Sequence, residues 1–208
     1  MISMEDDIVA VGGSLDETSL LQAYRQGIFP WPAEGLPLLW YCPLDRAILR
    51  FKNLHIGRNL TRARRKSSLR FTIDHDFESV IKQCAAIPRP EQDATWINPE
   101  MIDAYRRLHH LGMAHSVEAW QGEDLVGGLY GVDCGGSFSG ESMFHLEPDA
   151  SRLALLYLVD HLEERGCTWI DCQVMTPHFE RMGAEEIPRD SFLQELATAL
   201  AADRKLFP

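Results

Sequence analysis

The sequence predicts an α+β protein with a small N-terminal domain over residues 1–52 and a larger domain over 53–208 built on a mixed sheet. Three stretches predict it. Leu125 to Val132 and Ser137 to Phe144 are apolar or small throughout, and Asp133-Cys-Gly-Gly136 between them reads as the turn of a hairpin. Ala150 to Arg165 reads as a helix closing on Gly166, and Thr168 to Val174 as the next strand; strand, helix and strand with short connections is the pattern of a crossover between parallel strands. Upstream, short strands and a proline-rich elbow set off the small domain.

In chain order, Ser14-Leu-Asp-Glu17 is a capping-box pattern, and Leu15, Leu20, Leu21 and Tyr24 follow at helical spacing until Gly27 ends a short helix. Ile28-Phe-Pro-Trp-Pro32 is a rigid apolar elbow. Leu38 to Tyr41 and Arg46 to Phe51 read as short strands interrupted by Pro43, with Trp40 at the edge of the small domain. Asn59 to Lys66 is a helix and Leu69 to Ile73 a strand. Asp76 caps the next helix, whose stripe of Phe77, Val80, Ile81 and Cys84 ends at Pro88 and Pro90. Asn98 with Pro99 behind it starts another, running through Met101, Tyr105 and Leu108 to Gly112. Ala114 to Trp120 is a strand and Gln121 to Asp124 a turn. Core packing is the ordinary reading for Trp31, Trp40, Trp96 and Tyr105, although Trp96 and Tyr105 are placed to face one cleft.

The hairpin carries more glycine than its strands need. Glycine in a strand packs nothing, so Gly127, Gly128, Gly131 and Gly140 predict a bulge or a close approach by other atoms. Glu141, in an apolar run, either finds a cationic partner or pays for its desolvation, unless it lies on an edge strand and points at water. In the last strand Ile170, Cys172 and Val174 point one way, and Trp169, Asp171 and Gln173 the other. A carboxylate and a carboxamide side by side on a covered strand call for a functional reason.

Composition bounds the function. With 208 residues, 45% hydrophobic and 25% charged, the chain reads as an ordinary globular protein with one sizeable core. Its acidic start, Met1-Ile-Ser-Met-Glu-Asp-Asp7, is unlike a signal peptide, and no apolar run reaches membrane-spanning length, so a cytoplasmic protein away from membranes is expected. Cys42, Cys84, Cys134, Cys167 and Cys172 form no zinc-ligand spacing and predict buried thiols, as His109-His110 predict structural histidines; no metal or cofactor is expected. Net charge is −11, yet Arg50 to Ile73 holds eight of the twenty Lys and Arg and no acid. A basic strip on an acidic body suits a phosphate backbone, with Arg62, Arg64, Arg65 and Lys66 as its centre. There is no Gly-x-Ser-x-Gly elbow, phosphate-binding glycine loop or His-Glu-x-x-His motif. A hairpin, a crossover and a few polar groups suit transfer of an already activated acyl group, where positioning two reactants does most of the work.

The runs Tyr24-Arg-Gln-Gly-Ile-Phe-Pro-Trp31, Leu39-Trp-Tyr-Cys-Pro43, Thr95-Trp-Ile97, Ala114-His-Ser-Val-Glu118, Gly127-Gly-Leu-Tyr-Gly131, Gly140-Glu-Ser-Met-Phe144 and Ile170-Asp-Cys-Gln173 resemble those of the leucyl/phenylalanyl-tRNA–protein transferases, over about residue 9 to residue 196. The resemblance implies a larger domain of the N-acetyltransferase-like (GNAT) type. It implies transfer of Leu, Phe or Met from aminoacyl-tRNA to the N-terminal Arg or Lys of acceptor proteins, marking them for N-end-rule degradation; a monomer is expected. Many members carry a further stretch upstream of the segment matching Gly12-Gly13. By motif, Trp40, Trp96, Tyr105, Gly140 and Glu141 hold the aminoacyl-adenosine end, with Glu141 near the α-amino group of the transferred residue. Asp171 and Gln173 handle the attacking amine, and Phe138 belongs to the pocket selecting Leu or Phe.

Two rival readings keep the same residues. An acetyl-CoA-dependent N-acetyltransferase needs a glycine turn from strand to helix, but the nearest match, His109-His-Leu-Gly-Met-Ala114, runs from helix to strand. A non-catalytic tRNA-binding module would use the basic strip and exposed aromatics for binding alone.

Overall fold

The computed structural model describes residues 4–33, 35–87 and 96–207, with residues 4 and 5 as backbone alone. The helix-stopping Pro88 and Pro90, and Thr95, lie outside the described residues. Strands β1 (Ile8–Val11), β2 (Phe29–Pro30) and β3 (Leu39–Tyr41) form a small antiparallel sheet in the order β1-β3-β2, so the apolar elbow itself supplies a strand. Helix α1 (Glu17–Arg25) stands between the first two. Its cap is Asp16, which accepts from the Ser19 amide at 2.9 Å, and not Ser14, whose hydroxyl donates to Asp16 instead.

The larger sheet comprises β4 (Asp45–Arg50), β5 (Arg70–Ile73), β6 (Ala114–Gln121), β7 (Asp124–Asp133), β8 (Phe138–His145), β9 (Trp169–Gln173) and β10 (Glu185–Pro188), in the order β10-β4-β9-β8-β7-β6-β5. Its one parallel pair is β8 with β9, so the sheet is mixed. The strand at Arg46, read from sequence as part of the small domain, pairs as β4 between β10 and β9, inside the larger sheet.

Helices cover both faces. Helix α5 (Ala150–Glu163) lies across β6, β7 and β8, with α2 (Arg58–Lys66) beside it. Opposite lie α3 (Phe77–Ala86) and α4 (Pro99–His110), and α1 packs on α4. Helix α4 follows from its residues: the Asn98 side chain accepts from the Met101 amide at 2.9 Å, Pro99 fills the first position, and Met101, Ala104, Tyr105 and Leu108 bury one face. Helices α6 (Pro177–Arg181) and α7 (Arg189–Ala201) complete the chain, and α7 packs on β4 and β10.

The glycine-rich hairpin is crowded from both sides. A Cβ on Gly127 would meet the Ala150 side chain at 2.6 Å, and one on Gly131 the Ser139 carbonyl at 2.3 Å, so both positions exclude side chains. The bulge is real and lies in β8: Tyr130 pairs with Ser142 and Gly131 with Gly140, which leaves Glu141 as the extra residue. A one-residue slip reverses which face a side chain takes. Phe138 and Phe144, six apart, accordingly enter cores on opposite faces of the sheet.

Candidate active site

Strands β8 and β9 touch in register at one pair, Ser139 with Asp171, and then part. Beyond that pair, Gly140 to His145 and Cys172 to Val174 line a cleft of about 1310 Å³, which Phe29, Trp31 and Trp96 wall on the small-sheet side. Its apolar lining includes Phe138, Leu129, Leu155 and Ile170. Glu141, Asp171 and Gln173 all line it.

The bulge turns Glu141 toward α1 and α4. Its Oε1 accepts from Tyr24 Oη at 2.7 Å and from Gln173 Nε2 at 2.6 Å, and its Oε2 from Tyr105 Oη at 3.2 Å; the two tyrosine hydroxyls also touch each other. No cation reaches it directly among the described residues. Burial therefore lifts the Glu141 carboxyl to about 7, with the three hydrogen bonds pulling back and the charge of Asp171 adding to the lift. Both tyrosines are pushed well above their ordinary range, first by burial and then by the Glu141 charge.

Asp171 is held differently. Its Oδ1 accepts from Arg46 Nε at 2.8 Å and from the Gln173 amide at 2.9 Å, and its Oδ2 from Arg46 Nη2 at 2.7 Å and Ser139 Oγ at 2.8 Å. Arg46 also donates to the Gly27 carbonyl at 3.0 Å and is sandwiched between Phe29 and Phe192, 4.8 and 4.5 Å from the ring centroids. Gln173 adopts φ +63°, and its bond to Asp171 Oδ1 supports that left-handed backbone. From there the carboxamide reaches Glu141. One chain of contacts thus runs from Arg46 through Asp171 and Gln173 to Glu141.

Of the residues expected at a site, Trp96, Phe138, Gly140, Glu141, Asp171 and Gln173 line the cleft. Trp40 is 7% exposed in the small sheet, where Nε1 donates to the Gly12 carbonyl at 2.8 Å, and Tyr105 is wholly buried behind Glu141. Arg62, Arg65 and Lys66 line a shallow groove on α2 with Arg58, whereas Arg64 turns aside to pair with Asp160 of α5. Sequence reasoning missed Tyr24, Arg46 and Ser139. Arg46 left a signal: a charge heading the apolar run Ala47-Ile-Leu49 in a covered strand requires a buried partner. Among the described residues, no cluster of three or more His, Cys, Asp or Glu is placed to hold a metal, and no helix is long and apolar enough to cross a membrane.

The cleft between the parted strands of this α+β protein is lined by apolar and hydrogen-bonding side chains together; comparison with known proteins places it among the aminoacyltransferases. Residues 48–197 match the family model described as leucyl/phenylalanyl-tRNA protein transferase, and residues 13–44 that of its N-terminal domain. The chain is 53% identical over 195 residues to the leucyl/phenylalanyl-tRNA–protein transferase of Anaeromyxobacter sp. strain Fw109-5, covering 94% of this chain and 83% of that one. It is 52% identical to the protein of that name from Nitratidesulfovibrio vulgaris strain DP4, covering 90% and 80%, and 50% identical to that of Magnetococcus marinus, covering 95% and 85%. The chain belongs to the leucyl/phenylalanyl-tRNA protein transferase family. Among solved structures, L-PGS from Bacillus licheniformis overlays at a TM-score of 0.44 and 13% identity, over 89% of this chain and 70% of that one.

Proposed function

We propose that this protein moves Leu, Phe or Met from the ester at the tRNA 3′ end to the N-terminal Arg or Lys of an acceptor protein, a mark for N-end-rule degradation, acting as a cytoplasmic monomer with a GNAT-type larger domain and a separate N-terminal one. The observation that carries the reading is the set of groups that line one cleft: apolar Phe138, Leu129, Leu155 and Ile170, the polar Glu141 and Gln173, and the aromatics Trp31 and Trp96, whose rings are 6.4 Å apart between centroids. Those three kinds of lining suit an amino-acid side chain, its ester and α-amino group, and a nucleobase.

In the reaction the acceptor amine attacks the ester carbonyl carbon, a C–N bond forms, and the C–O bond to the tRNA breaks as the released oxygen takes a proton. A carboxylate offers about four lone-pair positions. Asp171 has all four filled, so its part is to position Gln173. Glu141 has a position open on Oε2, faces the cleft, and is the acceptor for the proton that the amine loses.

Incubation with Leu-tRNA and an Arg-initiated peptide tests the reading by mass: a gain of one leucine on the peptide is expected. Tight binding of the tRNA without turnover would instead support the RNA-binding module, and acetylation of the peptide from acetyl-CoA the N-acetyltransferase.

A further inference from the structure

The same cleft is also lined by His178 and Arg181 of α6, Arg152 in the first turn of α5 and His145 at the end of β8. The other three are close enough to act on His178: its imidazole is held below its ordinary value first by burial, then by Arg152, Arg181 and His145. Gathered positive charge raises the energy of the protein unless an anion joins it. Asp149 also lines the cleft and pairs with Arg152, and Glu180 precedes Arg181 in α6. The Nε2 atom of His178 is buried without a hydrogen-bond partner, although its ring lines the cleft. A buried polar atom left unmatched marks a place where a ligand atom completes the set. The cluster also connects outward, since Arg58 lines both this cleft and the groove on α2 that holds Arg62, Arg65 and Lys66.

We infer that Arg152, Arg181 and His178 form a phosphodiester subsite that takes the phosphate on the 5′ side of the terminal nucleoside of the aminoacyl-tRNA. The inference rests on the aminoacyl-transfer reading. Guanidinium forks match phosphate oxygens in pairs, and His178 Nε2–H supplies a third donor. Arg58 then hands the next stretch of backbone to α2, so the phosphate path is continuous from the reacting ester to the basic helix. Continuity along a strand favours RNA over a lone anion.

The test compares two hydrolysis-resistant ligands by calorimetry: amide-linked phenylalanyl-adenosine, and the same compound with a 5′-phosphate. Charge-assisted hydrogen bonds predict that wild type prefers the phosphorylated ligand by about 10-fold or more. In the Arg152→Gln/Arg181→Gln double variant, which changes exposed side chains only, that preference is expected to fall toward one, and His178→Asn to reduce it in part. Equal affinity of wild type for both ligands, or an undiminished preference in the double variant, overturns the subsite alone. Failure of wild type to bind either ligand overturns the aminoacyl-transfer reading itself. Competition by coenzyme A or inorganic phosphate as strong as that by the nucleotide would assign the cluster to another anion and overturn the RNA-backbone assignment.

Discussion

Arg46 donates to both carboxylate oxygens of Asp171, at 2.8 and 2.7 Å, with 1% of the arginine and 4% of the aspartate exposed. Removing one member of a buried pair strands the other charge, at a cost of about 3–5 kcal/mol. Arg46→Met is expected to lower the unfolding free energy by that order in urea titrations, with Arg46→Lys in between. A loss under about 1 kcal/mol for Arg46→Met would show that Asp171 is held by its other partners.

Because Asp171 is saturated, Asp171→Asn is expected to act through misplaced geometry. Misplacement of about 1 Å costs on the order of 10²-fold, so single-turnover transfer slows by that order, while the Glu141 limb persists but moves to lower pH because the Asp171 charge that adds to its lift is gone. Complete absence of the limb at every pH in this variant would make Asp171 the proton acceptor.

Glu141 carries the pH dependence. A base works when ionised, and Glu141, raised to about 7 by burial, ionises as pH climbs through that value, so the wild-type rate rises with it. Glu141→Gln is expected to remove this limb and slow transfer about 10²- to 10⁴-fold, leaving only the limb of the acceptor amine near ~8. Tyr24→Phe takes away a hydrogen bond to the charged form and should move the limb up by about one unit. An inflection near 7 that persists in Glu141→Gln assigns the proton elsewhere.

The same shift affects stability with the opposite sense. With a folded value near 7 and an ordinary value of 4.5, the native protein binds more protons than the unfolded chain between those pH values. The contribution of Glu141 is therefore fully present below about 4.5 and is lost as pH rises through 7, a change of order 3 kcal/mol. Urea unfolding free energies of wild type minus Glu141→Gln, measured from pH 4.5 to 8, should fall across that window. A flat difference would mean the carboxyl is not desolvated.

On α2, Arg62, Arg65 and Lys66 share a groove while Arg64 is tied to Asp160. Alanine at each of the first three is expected to reduce the salt slope of tRNA binding by about one, and Arg64→Ala by less. Equal slopes for all four variants would mean the groove does not select the contacts.

Much of the frame was legible in sequence because local rules govern it. Asn98-Pro99 and Asp76 capped the helices expected of them, the 3.6-residue stripes of α3 and α4 buried as expected while Leu15 and Leu21 by α1 are half-buried, and the glycines of β7 and β8 did announce a bulge and close approaches. The C-terminal β10 and α7 were not foreseen, since their sequence shows no strong period.

Sequence by itself determined which groups are present: a carboxylate beside glycine in an apolar strand, and Asp171 and Gln173 two apart on one strand face. Only the tertiary structure decided what those groups are. Arg46 lies 125 residues from Asp171 and Tyr24 lies 117 from Glu141, and no local pattern reports who meets whom across the sheet. Two carboxylates of one cleft thereby diverge: Asp171 is tied to a guanidinium fork, while burial against tyrosines lifts the Glu141 carboxyl to about 7. The physical reason is that a carboxylate's proton affinity is set by the partners and dielectric around it, and strand pairing supplies both.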